Sequence, residues 1–388
     1  MLQITMFFFL LTFLSVYGAM HLYVFLKAKP ALHPGSGLTI LLAVFLAAMV
    51  LAPLGVRLLD RYGLHLCARV LAHIGYTWMG LVFFFFAFGL CLDVLNLGIR
   101  LWALLPGSSG GRLAWTGKNA FVFLALGSLL LGVWSMFSAW NIRLDHISLH
   151  TRKLPAGKNR LSIAQISDLH LGLLVGEQRL ARIIRLVRKA QPDVLVCTGD
   201  LVDAQMDRLN HLADMLAEVQ PPLGKFAVTG NHEFYMGIRQ SEGFLRAAGF
   251  TLLRNESYRL DELLTIVGVD DPAGRGRPQG ARPAGQGEDV LLSEQNPEMY
   301  TLLLKHRPVV QRESLGRFDL QLSGHAHKGQ IFPFTLVTQF FYPRQDGLYH
   351  LEKGSLLHVS RGTGTWGPPM RFLSPPHVTV IELSRIGK

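Results

Sequence analysis

Cysteine is scarce, with three in 388 residues. Cys67 and Cys91 lie in or beside apolar runs and Cys197 sits in an apolar strand pattern, so neither a disulfide framework nor a cysteine-rich zinc site can be assembled from them. Acidic residues are outnumbered, 27 against 38 Lys and Arg, which leaves a formal net charge of +11. The basic residues are nevertheless dispersed. They come without a zinc-finger or helix-turn-helix signature and without a basic groove interleaved with aromatics, so no nucleic acid is expected as a partner. A phosphorylated substrate and an anionic lipid surface account for the same balance.

Polarity is also lacking before Asn141. Four apolar runs, at about residues 2–26, 38–59, 74–99 and 120–140, each meet the roughly 20-residue requirement for a helix that crosses a bilayer. Stretches such as Leu81-Val82-Phe83-Phe84-Phe85-Phe86 have no polar face for water, which argues against amphipathic helices of a soluble core. The first run does not read as a cleaved secretory signal: no Lys or Arg precedes it, it is too long, and no small-x-small site ends it. Residues 1–140 are therefore expected to form an all-α transmembrane bundle, and residues 141–388 a separate domain. Asp93 is the acidic side chain within a run; its spacing from Arg100 predicts a headgroup-level carboxylate paired with a base.

Lys and Arg in the short loops suggest an orientation. Lys27, Lys29, Arg100, Arg112 and Lys118 fall on one side. Arg57, Arg61, Arg69, Arg143, Arg152, Lys153, Lys158 and Arg160 fall on the other. The second side is the more basic, so an integral protein of the inner or plasma membrane with a cytoplasmic second domain is expected.

From Asn141 onward short β-like runs alternate with amphipathic helices. Strands are predicted over 161–167, 193–198 and 225–229, and helices over 177–190, 203–219 and 240–248. Leu180, Ile183, Ile184 and Val187 fall on one face of the first helix. A strand near 263–269 precedes 271–289, which is rich in Gly, Pro, Arg and Gln and reads as a mobile surface loop. Further strands are expected at 300–305, 318–323, 330–334, 347–352, 356–360 and 378–383. Late strands without intervening helices imply a second sheet layer.

The polar signal lies where the strands end. Asp168-Leu169-His170 places two ligand types at i and i+2, which strand alternation would aim at one ion. Gly199 permits a tight turn that lets Asp200 present two carboxylate oxygens. Gly230-Asn231-His232-Glu233 offers the Asn231 amide oxygen as a neutral ligand and His232 as a proton donor. His306 follows another strand, and Gly324-His325-Ala326-His327 brings two imidazoles. In open α/β sheets such strand-end loops converge. Carboxylate, amide and imidazole together suit borderline divalent metals such as Mn, Fe or Zn.

These five segments, in this order, resemble the calcineurin-like metallophosphoesterase superfamily across residues 161–383. Gly268-Val269-Asp270-Asp271-Pro272, Gly329-Gln330, Ser360-Arg361-Gly362-Thr363-Gly364 and Arg371-Phe372 are similar to its membrane-associated bacterial YkuE/YaeI-like branch. The resemblance implies an α/β domain built as a four-layer αββα sandwich with two mixed β-sheets. It further implies two divalent metal ions: Asp168, His170 and His327 on the first, Asn231, His306 and His325 on the second, and Asp200 between them. His232 would be the catalytic proton donor, and a metal-bridging hydroxide would attack phosphorus. Lys328 stands where this branch often has Gly, which predicts an added cation at the pocket rim.

The expectation is thus a membrane-anchored phosphoesterase acting on a phosphoester or pyrophosphate, with a lipid-linked substrate favoured by the tether and membrane lipids as partners. The alternative is a transport or partner-binding helical module with a regulatory phosphoesterase domain; the spans carry few polar residues to line a path, which counts against transport. Nothing in the sequence indicates an oligomeric state.

Overall fold

The computed structural model describes residues 2–105, 114–203, 209–274 and 287–386. It divides into two compact units, Met1–Phe137 with Gly367–Met370, and Ser138–Trp366 with Arg371–Lys388. Arg112 and residues 275–286 of the predicted loop lie outside the described residues.

The first unit is built from α1 (Leu2–Leu32), α2 (Ser36–Arg61), α3 (His65–Trp102) and most of α4 (Gly117–Trp140). All four are long and apolar enough to cross a membrane. Their outward surfaces carry Leu41, Val44, Leu95, Leu130 and Phe137, each more than half exposed, as a lipid-facing surface requires. Several polar side chains pair between the helices: Trp78 donates to His21 Nε2 at 2.9 Å. Asp93 accepts from the Tyr23 hydroxyl at 2.7 Å and from Lys27 at 2.5 Å. The base paired with Asp93 is therefore Lys27 of α1 rather than Arg100, because helix packing brings α1 beside α3 while Arg100 lies about two turns along the same helix.

The second unit runs β1 (Arg143–Thr151), β2 (Arg160–Ile166), α5 (Glu177–Ala190), β3 (Val194–Cys197), α6 (Asn210–Ala217), β4 (Lys225–Ala227), α7 (Asn231–Met236), α8 (Ile238–Ala247), β5 (Thr251–Leu252), β6 (Glu256–Leu260) and β7 (Leu264–Val269). It continues with α9 (Glu288–Ser293), β8 (Tyr300–Lys305), β9 (Leu320–Ser323), α10 (Phe334–Phe341), β10 (Gly347–His350), β11 (Leu356–Val359) and β12 (His377–Arg385). Two six-stranded sheets result, ordered β1-β12-β2-β3-β4-β5 and β10-β11-β9-β8-β7-β6. Both are mixed: β2, β3, β4 and β5 pair in parallel while β12 runs antiparallel to β2, and β7, β8 and β9 pair in parallel while β6 and β10 are antiparallel to their neighbours.

The period of two in the strands explains the layering. Leu161, Ile163, Val194 and Val196 point into the core between the sheets, with Leu302, Leu304, Leu320 and Leu322 opposite. The alternate residues Ala164, Ile166, Leu195 and Cys197 meet Leu180, Ile183, Ile184 and Val187 of α5 and Leu212 and Leu216 of α6. On the far side α9 places Leu291 and Leu292 against Val267 and Leu303. The architecture is the expected αββα sandwich. Because both faces of the central strands are covered, they read as unbroken apolar runs.

Three local expectations need correction. The helix predicted over 203–219 is seen as Asn210–Ala217, with residues 204–208 outside the described set. The strand predicted at 330–334 is an isolated bridge from Ile331 to Phe372 followed by α10, so a helix does intervene among the late strands. Pro333 breaks the ladder there and stands at the helix N-cap, a position where its missing N–H costs nothing. Finally, β1 adds an edge strand beside β12 that no turn signal announced.

Candidate metal centre

The site is assembled by loops that leave parallel strands. Backbone bonds interlace them: Asp168 N–H donates to Gly199 O at 3.0 Å, His170 N–H to Asp200 O at 3.1 Å, and Gly324 N–H to His306 O at 2.8 Å. Gly199 has a φ of +93°, and a Cβ there would lie 2.6 Å from Gly230 N and 2.7 Å from His306 Nδ1. Glycine is required by both the backbone sign and the space.

Asp168, His170, Asp200, His325 and His327 adopt φ between +47° and +69°. Left-handed conformations cost non-glycine residues roughly 1–2 kcal/mol each, and their concentration here marks a site that the surrounding fold holds in a strained form. The i, i+2 pairs therefore do not work by strand alternation. A left-handed turn aims Asp168 and His170 into one group, and His325 and His327 are sent to different ones.

Three groups of ligand-type atoms result, each within 4.8 Å: Asp168, His170 and His327; Asp200, His306 and His325; and His170, Asp200 and His232. Asp200 is shared by the second and third and approaches His170 Nε2 at 4.0 Å and His306 Nε2 at 3.2 Å. Asn231 opens α7, and its Oδ1 is buried with no hydrogen-bond partner among the described residues. The fourth segment is thus the first turn of a helix rather than a free loop, with the backbone at Gly230 pressed against Asp200.

The nitrogen pairings are informative. His170 Nε2 faces His327 Nε2 at 3.2 Å, and His325 Nδ1 faces His306 Nε2 at 3.1 Å. Two imidazole nitrogens can make such a contact only by sharing a proton, or by both offering lone pairs to a cation. His306 is oriented for this, since its Nδ1–H donates to Thr198 O at 2.8 Å and leaves Nε2 inward. His327 is held by Arg371, whose Nη2 donates to His327 Nδ1 at 3.0 Å, so in the neutral ring the proton sits on Nε2, 3.3 Å from Asp168 Oδ1, and must leave before that nitrogen binds a cation. Arg371 is fully buried and also donates to the carbonyls of Gly364 and Arg361. The donor set and the orphaned Asn231 oxygen fit divalent ions held by N and O ligands.

Burial disfavours charge throughout, but local partners overrule it selectively. Asp168 and Asp200 stay well below the ordinary carboxylate range, because the neighbouring imidazoles, His327 for the first and His306 for the second, outweigh desolvation. His306 is pushed up to about 10 by Asp200 against its burial. His325 falls to about 3 through burial and the adjacent His306, and burial also lowers His170 and His327.

His232 stands apart. Its Nδ1 lies 2.7 Å from Asp203 Oδ1, and despite burial the carboxylates of Asp200 and Asp203 raise it to about 9. The sequence signals Asp203 only through its spacing, three residues after Asp200 in Gly199-Asp200-Leu201-Val202-Asp203. Glu233 has a structural role that its sequence context does not signal: its buried carboxylate accepts from the backbone N–H of Gly230, Asp200 and Leu201 at 2.7, 2.9 and 2.8 Å, tying two site loops together. Lys328 does not stand free at the rim. It donates to Asp346, the residue before β10, at 2.8 Å. Aromatic rings line the approach instead: Tyr235 and Trp366 lie 5.6 and 6.1 Å from His232, and Tyr342 lies 5.0 Å from His325.

A layered α/β sandwich with strained strand-end loops that gather carboxylate, imidazole and amide donors is the construction of metal-assisted hydrolases as a class. Residues 161–329 match the family described as Calcineurin-like phosphoesterase. An uncharacterized metallophosphoesterase of Aquifex aeolicus is 42% identical over 67% of this chain and 98% of its own length. A transmembrane protein with metallophosphoesterase domain from Danio rerio is 32% identical over 79% of this chain and 71% of its own. The YkuE metallophosphoesterase of Bacillus subtilis is 29% identical over 69% and 95%. The chain belongs to the calcineurin-like metallophosphoesterase family, whose members are phosphoester hydrolases that use divalent metals.

Proposed function

We propose that this protein is a membrane-anchored phosphoesterase that hydrolyses a phosphoester or pyrophosphate bond with two divalent ions. The observation that carries the reading is the position of Asp200, whose carboxylate groups with His306 and His325 and also lies 4.0 Å from Nε2 of His170, a member of the Asp168 and His327 group. Asp168, His170 and His327 would hold one ion, Asn231, His306 and His325 the other, and Asp200 both. When bound, such a pair polarises the phosphoryl oxygens and supplies a nucleophile from water at neutral pH.

The chain's own residues do the rest. His232, kept protonated by Asp203, holds a proton beside the site and delivers it to the leaving oxygen. Arg371 fixes the ring of His327, and Glu233 keeps the Asp200 and Gly230 loops in register. The four apolar helices keep the domain on a bilayer, with the domain on the cytoplasmic side by the distribution of Lys and Arg. That placement supports a lipid-linked substrate.

The test is hydrolysis of bis-para-nitrophenyl phosphate by full-length protein in membranes, after chelation and after readdition of Mn, Fe or Zn. Activity should vanish with the metals and return with them, and Asp200→Ala should abolish it. Full activity in Asp200→Ala would overturn the assignment.

A further inference from the structure

The segment after the last histidine does not behave like the rest of the domain surface. None of the eight residues of α10 is buried and none is charged. Leu336 is 59% exposed, Val337 48%, Phe340 84% and Phe341 69%. Contiguous apolar surface of this kind is uncommon on a soluble face and marks an interaction site. Arg344, exposed and without an ion-pair partner among the described residues, lies three residues beyond the helix end, and α10 contains no acidic side chain.

The helix is bolted to the metal centre at both ends. At its start Thr335 Oγ1 donates to Lys328 O at 2.9 Å, and the Gly329 backbone packs so closely that a Cβ there would lie 2.4 Å from Thr335 Cα. Beyond its end Tyr342 sits edge-on to His325. Anything that seats α10 is thereby seated beside the site.

We propose that α10 is an interfacial helix that docks on the bilayer surface and presents the metal centre to phosphate headgroups. A lipid surface is the occupant that the chain itself points to, since four of its helices are long and apolar enough to cross one. At eight residues α10 is far too short to span. Phenylalanine and aliphatic side chains followed by an exposed arginine are the composition of a helix lying in the headgroup region, where the cation meets anionic lipid. The substrate class that follows is an amphiphilic phosphoester whose apolar part stays in the bilayer while its headgroup enters between Tyr342 and Trp366. The substrate part rests on the phosphoesterase reading; the docking part does not.

The test uses full-length protein in nanodiscs of phosphatidylcholine and phosphatidylglycerol, with Cys67→Ser and Cys91→Ser as background. An environment-sensitive fluorophore is attached at Phe340→Cys, or at Arg246→Cys on α8 as a water-facing reference. Bromine-labelled lipid should remove about half of the fluorescence at position 340 and little at 246, as burial at the headgroup boundary requires. Quenching at 340 by aqueous iodide alone would overturn the proposal, and so would protection from both quenchers, which would indicate a protein partner or second copy. In parallel, Leu336→Glu with Phe340→Glu should slow hydrolysis of hexadecyl para-nitrophenyl phosphate in the same bilayer about tenfold and leave the soluble bis-ester unaffected. Equal rates on the lipid ester would overturn the substrate part. Inactivity of the unmutated protein on both esters, with lipid quenching intact, would instead count against the phosphoesterase reading.

Discussion

Asp203 holds His232 through a contact of 2.7 Å between Oδ1 and Nδ1, and this pair turns a buried imidazole into a standing acid. Burial alone would lower His232, yet Asp200 and Asp203 together lift it to about 9. The proton is required on the ring, so the rate should be level at lower pH and fall as pH rises through the His232 pKa. Asp203→Asn removes one of the raising charges and should move that alkaline limb to lower pH, with kcat at neutral pH down about tenfold; His232→Ala should cost about 10²–10⁴ on the low-pH plateau, the usual worth of a positioned general acid, and progressively less above the His232 pKa. Bound cations would lower His232 in both proteins alike, so the difference between their pH profiles is the readout. An unmoved limb in Asp203→Asn would remove Asp203 from this role.

Arg371 should be felt at the metal rather than only in stability. Its guanidinium bonds His327 Nδ1 and buried carbonyls at once, a planar pattern that an ammonium cannot reproduce. Arg371→Met should weaken Mn binding, measured by calorimetry, about 10- to 100-fold, and Arg371→Lys should not restore it. Unchanged Mn affinity with a lowered melting temperature would reduce Arg371 to a packing residue.

These two cases show what the sequence made legible. The seven ligand-type residues were visible because Asp, Asn and His recur after glycine or at strand ends, and the same runs displayed the two sheets. Asp203 had a local signal in its spacing from Asp200, but its partner His232 lies 29 residues away and only chain closure joins them. Arg371 is further removed, 44 residues from His327. The left-handed backbone at Asp168, His170 and Asp200 gave no warning, since none is glycine and tertiary bonds impose the conformation. The α10 segment was hidden differently: Ile331, Phe332 and Phe334 have strand propensity, and the turn imposed by Pro333 prevailed over it.

Gly199 should be among the least replaceable residues of the site. An added methyl meets Gly230 N and His306 Nδ1 well inside contact distance, and φ is +93°. Neither obstacle is a flexible side-chain end that could move aside without disturbing a ligand loop. Gly199→Ala should cost about 3 kcal/mol or more, from strain and overpacking together, read as a lower denaturation midpoint and loss of metal uptake. A midpoint within experimental scatter of the unmutated protein would show that the loop has room to yield.

Lys328 offers the opposite expectation. Its ammonium pairs with Asp346 at 2.8 Å, but about a third of the side chain is exposed, so the pair is worth about 0–1 kcal/mol. Asp346 keeps a second partner in Arg361 at 2.9 Å, so it is not stranded when the lysine is removed. Against that loss stands a left-handed φ of +50°, which glycine adopts freely and lysine only at a cost of roughly 1 kcal/mol. The two nearly cancel, so Lys328→Gly should change stability by less than about 1 kcal/mol. The kinetic consequence separates two roles. A lysine engaged with Asp346 leaves KM for an anionic ester unchanged on removal, whereas a lysine that binds substrate would raise KM several-fold with little change in kcat, the pattern of lost uniform binding. The geometry favours the first outcome, and a several-fold rise in KM would show that Lys328 leaves Asp346 when substrate arrives.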